Sequence, residues 1–219
     1  TTLVDISKKN RFSGLFAALS DRRFAIITTI YFLLVTSFSI MTASFTLYTM
    51  YRFEYTAEQN GYIFAYIGIL AIFLQGFLFT RLAKKFGEPN LIVTGCILLA
   101  ASFFAIPYIG PDSGGLTALL IGVAFIAVGN SLSSPALTSL ASKISDQSAQ
   151  GKALGVMQSS ASLARAVGPA IGAVLLNNAF DQIDDSTVQR TFWVASAIMM
   201  ISLFVAFYYA KVGKNEPLV

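Results

Sequence analysis

The sequence contains no histidine and a single cysteine, Cys96, in 219 residues. Without histidine the commonest metal ligand and the usual base near neutral pH are missing. One cysteine inside an apolar run supports neither a disulfide framework nor a thiolate zinc site. Charge is scarce as well: Lys, Arg, Asp and Glu together make up 12% of the chain, against about a quarter in soluble domains. No Asp or Glu lies well inside any of the long apolar runs. No nucleophile–base pair is evident, and the glycine-rich stretch 110–115 lacks the Gly-Lys-Ser/Thr ending of a phosphate cradle. These absences argue against an enzyme, intramembrane enzymes included, and neither a metal ion nor a cofactor is expected. The net charge of +4 does not point to nucleic acid, because the basic residues gather in particular linkers instead of covering one soluble face.

What the sequence has is apolar length. Hydrophobic residues make up 55% of it, with 19 Phe and 9 Tyr. A membrane-spanning helix needs roughly 20 consecutive apolar residues. Six stretches qualify: Phe24–Tyr51, Gln59–Thr80, Pro89–Pro111, Ser113–Ser142, Ala153–Phe180 (broken only by Arg165) and Thr191–Ala210. The alternating segments of about 10 residues that mark a membrane β-barrel do not occur. The expected fold is therefore an all-α membrane protein of six transmembrane helices. Residues 24–210 form the membrane domain, 1–23 a cytoplasmic linker and 211–219 a cytoplasmic tail. Short connections such as 52–58 and 110–115 leave no room for a soluble domain. The chain opens Thr1-Thr2-Leu3 with no initiator methionine and no signal-peptide pattern, and it is expected to be a piece of a longer protein.

Alternate linkers differ sharply in charge. One set holds Lys8, Lys9, Arg11, Arg22, Arg23, Arg81, Lys84, Lys85, Lys143, Lys152, Lys211 and Lys214; the other holds only Arg52 and Arg190. The positive-inside rule places the twelve on the cytoplasmic side and the two outside. The poor side carries Glu54, Glu58, Asp112, Asp181, Asp184 and Asp185. Both ends of the chain are then cytoplasmic. The segment 12–19, mildly amphipathic with basic flanks, reads either as a helix on the inner membrane surface or as a plain linker.

Three stretches carry a family resemblance. Gly76-Phe-Leu-Phe-Thr-Arg81-Leu-Ala-Lys84-Lys85-Phe-Gly87-Glu88 resembles the second-half copy of the basic cytoplasmic motif of the major facilitator superfamily. Thr80 stands where the first-half copy has an acid, so that motif's charge relay is not implied here. Ser134-Pro135-Ala-Leu-Thr138-Ser-Leu-Ala-Ser142 leads into a polar basic loop. Gln150-Gly-Lys-Ala-Leu-Gly155 followed by Leu163-Ala-Arg165-Ala-Val-Gly168-Pro169-Ala-Ile-Gly172 is similar to the eleventh helix of proton-coupled drug antiporters of the tetracycline-efflux type. The resemblance covers nearly the whole chain in layout. It implies the C-terminal six-helix half of a twelve-helix transporter that exports small, drug-like molecules by alternating access about a midplane site, in the plasma (bacterial inner) membrane. Its partners would be a missing N-terminal half, the lipid bilayer and a small-molecule substrate, with no nucleic acid. A solute importer of the same fold and a membrane interaction module without transport activity are the alternatives.

Arg165 lies near the middle of its span, where a buried arginine costs roughly 2.5–3.5 kcal/mol on insertion scales. It must face protein or water. Gln158 and Ser162 share its helix face, so the stripe reads as a cavity lining for substrate or coupling, or else as a structural arginine held by neighbouring carbonyls. Ser37, Met41, Ser44 and Tyr48 form a stripe on the first helix, and Asn130, Ser134 and Thr138 one on the fourth; Gln75 is the most polar residue within the second. These faces would line a cavity or, for the small hydroxyl residues, mediate helix packing in lipid. Gly61, Ala65 and Gly68 read as a packing stripe. Pro107, Pro135 and Pro169, with Gly168 and Gly172, are candidate hinges or fixed bends.

Overall fold

The computed structural model describes residues 21–177 and 183–212. Six helices account for most of them: α1 (Arg22–Phe53), α2 (Ala57–Phe86), α3 (Glu88–Ala105), α4 (Gly115–Ile144), α5 (Gln150–Leu176) and α6 (Asp185–Val212). With the 3₁₀ turn that extends α3, each is long and apolar enough to cross a membrane, and the chain is a multi-pass integral membrane protein. The interfacial segment 12–19, the linker and tail cations Lys8, Lys9, Arg11 and Lys214, and Asp181 lie outside the described residues.

Local chemistry sets the helix boundaries. Asp21 caps α1, its carboxylate accepting from the backbone N–H of Arg23 at 2.8 Å, and Glu54 ends it in the left-handed region at φ 57°. Two residues later Thr56 and Gln59 form a reciprocal capping box that starts α2. Inside this tight hairpin the Thr49 hydroxyl donates to Asn60 Oδ1 at 2.6 Å, and Asn60 Nδ2 donates to the Thr56 carbonyl at 3.1 Å. Buried Asn60 is thereby satisfied.

The second span extends further than its apolar run. It passes through a π turn at Leu74–Leu78 and continues as α-helix through the basic stretch to Phe86. Phe79 and Leu82 alternate with Arg81, Lys84 and Lys85 at helical period, so the segment holds its fold beyond the apolar region. The connection to α3 is Gly87 alone, at φ 78°, with Pro89 in the first turn of α3. Pro107 closes α3 in a 3₁₀ turn, Ile106–Tyr108. By contrast, α4 and α5 run on through Pro135 and Pro169. The fifth helix stops at Leu176, and 178–180 fall outside the described residues.

Burial is uneven. α1 packs against α5 and α6, and α3 against α4 and α6, whereas α2 touches mainly α4. Of the most apolar stretch of each helix, 61% is buried in α1 but only 6% in α2. Lipid gives apolar side chains no reason to leave it, so close backbone approach and interhelical hydrogen bonds must hold the unit together. Both are present. A Cβ at Gly95 would sit 2.6 Å from the Gly129 carbonyl oxygen, where α3 crosses α4, and one at Gly168 would sit 2.5 Å from Ser39 Cβ, where α5 crosses α1. Hydroxyls of α1 and α6 donate to carbonyls across the seams: Ser37 to Ala195 (2.5 Å), Ser196 to Ala100 (2.8 Å) and Ser202 to Ile30 (3.3 Å).

Charged groups tie the helix ends. At one end Arg52 bonds the Asp185 carboxylate at 3.0 Å and donates to the Pro107 carbonyl at 3.1 Å. Arg190 donates to the Leu175 and Asn177 carbonyls at 2.9 and 2.8 Å, satisfying the C-terminus of α5. At the other end the Glu88 carboxylate meets Lys143 and accepts from Ser139 at 3.1 Å, and Arg22 donates to the Tyr208 hydroxyl at 3.0 Å.

Candidate functional site: a polar band at mid-span

Three of the polar side chains singled out by the sequence fall near one level. Arg165 is 15 residues from the start of α5, Asn130 is 14 from the end of α4, and Gln75 is 11 from the end of α2. At 1.5 Å per residue these are about 22, 21 and 16 Å from the same side of the helix bundle, near the middle of a hydrocarbon layer about 30 Å thick.

The candidate residues divide by exposure. On α5, Gln158, Ser162, Arg165 and Pro169 are exposed on one face, at steps of four, three and four residues. Ser162 donates its hydroxyl proton back to the Gln158 carbonyl at 2.9 Å. Among the described residues Arg165 has no hydrogen-bond or ionic partner. The opposite face of α5 carries Ala161, Ala164, Gly168 and Gly172, all buried. Gly168 and Gly172 both press on α1, which fixes the rotation of α5 and aims Arg165 away from the core. These two glycines are sites of close approach. Pro135 lies partly buried inside α4, and Pro169 is exposed.

On α2, Gln75 is exposed in the π turn and lies 3.4 Å from the Ser131 hydroxyl of α4. Asn130 beside it is half-buried. The α1 stripe differs from a cavity lining. Ser37 is 0% exposed, Met41 3% and Tyr48 0%. The Tyr48 hydroxyl lies 2.9 and 2.6 Å from the Ile106 and Ile109 carbonyl oxygens, and Ser37 is spent on Ala195. Tyr48 and Ser37 thereby hold α1 to the end of α3 and to α6, and Met41 is buried between them in the stripe. The physical reason is that α6 and the end of α3 cover this side of α1, while the glycines at 168 and 172 bring α5 onto Thr36, Ser39, Ile40 and Ser44.

The basic stretch Gly76, Arg81, Lys84, Lys85, Gly87 occupies the end of α2. Glu88, the nearest acid, is held by Lys143, and Lys85 lies 5.2 Å from the Phe86 ring centre. Gly61, Ala65 and Gly68 face open space, with nothing within 4 Å of a Cβ at either glycine. An open apolar cleft of about 310 Å³ between α2 and α4 is lined by Tyr66, Thr117, Leu120, Ile121, Phe125 and Val128, toward the Arg52 end.

Sequence reading missed Ser131, the π turn and the end-tying roles of Arg52, Arg190 and Glu88. A Gln-Gly pair in mid-helix is the only local sign of the turn. Among the described residues no group of three or more His, Cys, Asp or Glu side chains is arranged to hold a metal ion, and every acidic side chain lies at a helix end or in a loop.

Comparison with known proteins gives this geometry a context. The model of the Major Facilitator Superfamily matches residues 27–218. The tetracycline resistance protein, class H, of Pasteurella multocida is 29% identical over 194 residues, covering 85% of this chain and 44% of that protein. Multidrug resistance protein 2 of Bacillus subtilis is 29% identical over 191 residues, covering 85% and 43%. Among solved structures, the human organic anion transporter MFSD10 superposes with a TM-score of 0.73 at 23% identity, over 84% of this chain and 40% of that one. The chain thus spans less than half the length of each of these relatives.

Proposed function

Because the chain belongs to the major facilitator superfamily, we propose that it is the C-terminal half of a secondary transporter that exports small, drug-like organic molecules in exchange for protons. The observation that carries this reading is the exposed face of α5, on which Gln158, Ser162 and Arg165 lie about 12 to 22 Å along the helix from its start. A charged, hydrogen-bonding stripe at that depth is too costly against lipid, and it suits the wall of a solute path between two rocking halves. The relatives from Pasteurella multocida and Bacillus subtilis are named for tetracycline and multidrug resistance, and removal of such molecules from the cell supports the outward direction. Both ends of this half then face the cytoplasm, in a plasma membrane. The chain does no covalent chemistry. A guanidinium carries a fixed charge and relays no proton. No carboxylate of the described residues lies at that depth, so the proton-carrying acid belongs to the N-terminal half, the partner of this unit.

Transport in vesicles tests this reading. The 219-residue chain alone should move no solute, and co-expression with its natural N-terminal half should restore outward, proton-driven movement. Robust transport by the monomeric chain alone would refute it.

A further inference from the structure

We propose that the solute recognised at mid-span is an organic anion, held through a carboxylate by Arg165, with the Gln158 amide two turns away on the same face. This deepens the carrier reading above and rests on it. Arg165 is exposed in mid-helix and aimed outward by a face it cannot leave, since a Cβ at Gly168 or Gly172 would lie 2.5 or 3.0 Å from α1 atoms. The acidic side chains of the described residues stand at helix ends or in loops: Asp21, Glu54, Glu58, Glu88, Asp112, Asp146, Asp184 and Asp185. Glu88 and Asp185 are already bonded to Lys143 and Arg52. The half therefore presents a cation at a depth where it has no anion of its own.

The surroundings favour a two-oxygen anion. A guanidinium offers parallel N–H donors in a planar fork that matches a carboxylate. Gln158, one turn beyond Ser162 on the same face, offers an amide with two further donors. Ser162 has given its proton to the Gln158 carbonyl, so its hydroxyl adds an acceptor to this face and no donor. At Pro169 the ring removes the N–H that would bond the Arg165 carbonyl, which leaves a free acceptor for a hydroxyl elsewhere on the solute. A cationic drug-like amine would meet like charge here.

The test uses the full-length transporter containing this chain, reconstituted in liposomes, with three probes on one scaffold: 2-naphthylacetate, its methyl ester and 2-naphthylethylamine. Binding is followed by competition and movement by counterflow. The wild-type protein should prefer the carboxylate to the ester by about tenfold, the scale of a charge-assisted pair of hydrogen bonds. Arg165→Gln should abolish that preference while the ester is handled as before, and Arg165→Lys should keep part of it, with melting temperatures unchanged in both. Equal loss of all three probes in Arg165→Gln would overturn the proposal, because Arg165 would then pair with a carboxylate of the protein itself. Preference for the amine or the ester would overturn it and leave the carrier reading standing. No movement of any probe by the folded protein would defeat the carrier reading, and this site with it. Loss of melting temperature in both variants would make Arg165 a packing residue and equally overturn the assignment.

Discussion

Replacing Gly95 by alanine should loosen the whole molecule, and the size of the effect follows from one crossing. The added methyl would stand 2.6 Å from the Gly129 carbonyl oxygen, 2.7 Å from Ser133 Cβ and 3.0 Å from the Ser133 nitrogen. Non-bonded carbon atoms rest at about 3.5–4.0 Å, so α3 and α4 must part by about 1 Å. Two of the three neighbours are backbone atoms and cannot swing aside. Overpacking of this kind costs about 1–3 kcal/mol. Alanine returns up to about 1 kcal/mol through its better helix propensity. A net loss of up to about 2 kcal/mol remains, or up to about 6 °C in melting midpoint for a chain of this size. The adjacent residue supplies the assay. Cys96 is 0% exposed and is the chain's only cysteine, so a maleimide dye that fluoresces on reaction reports the moment α3 leaves the core. Gly61→Ala is the control: nothing lies within 4 Å of its Cβ, and its midpoint should hold or rise. A Gly95→Ala protein that melts at or above the wild type, with Cys96 still protected, would show that α3 and α4 do not meet as described.

Two further outcomes are expected. In intact cells, a cysteine replacing Asp184 should react with an impermeant maleimide from outside and one replacing Lys84 should not; the reverse pattern would overturn the orientation. Tyr48→Phe leaves the Ile106 and Ile109 carbonyls without their hydroxyl neighbour and should cost about 1–2 kcal/mol, read as a lower melting midpoint, while an unchanged midpoint would mean that water replaces the hydroxyl.

Six spans were legible because the bilayer imposes a length that few other constraints produce, and Arg165 because a lone charge at that depth is conspicuous. The contact faces were not legible. In a soluble helix the buried side is the apolar side, but in lipid both sides are apolar, so spacing alone does not tell seam from surface. Gly61, Ala65 and Gly68 read like a seam yet meet nothing in this half, while Gly95 and Gly129, on separate helices with no shared pattern, form the tightest crossing of α3 and α4. Ser37 and Ser162 are both mid-span serines; one is buried against α6 and the other exposed. The difference lies in which neighbour covers each helix, a fact about pairs of segments that no single segment contains. The end of α2 escaped for another reason: its apolar run stops at Thr80, but the helix does not.

The π turn at Leu74–Leu78 gives α2 a phase shift. A π turn takes up one more residue than an α turn, so the register of the helix before it does not carry through to the helix after it. Extrapolating the line of Gly61, Ala65 and Gly68 downward at 3.6 residues per turn therefore misplaces everything beyond Leu78. The small-residue half of α2 and its basic end are two independently aimed surfaces on one rod. Deleting a single residue within 74–78 would restore an ordinary helix. Because the lost residue is the one the π turn takes up in excess, Arg81, Lys84 and Lys85 would keep nearly their present directions. Straightening 74–78 into α-helix at unchanged length would instead swing them through about 100° around the axis and turn the cationic end to a different neighbour without altering its charge.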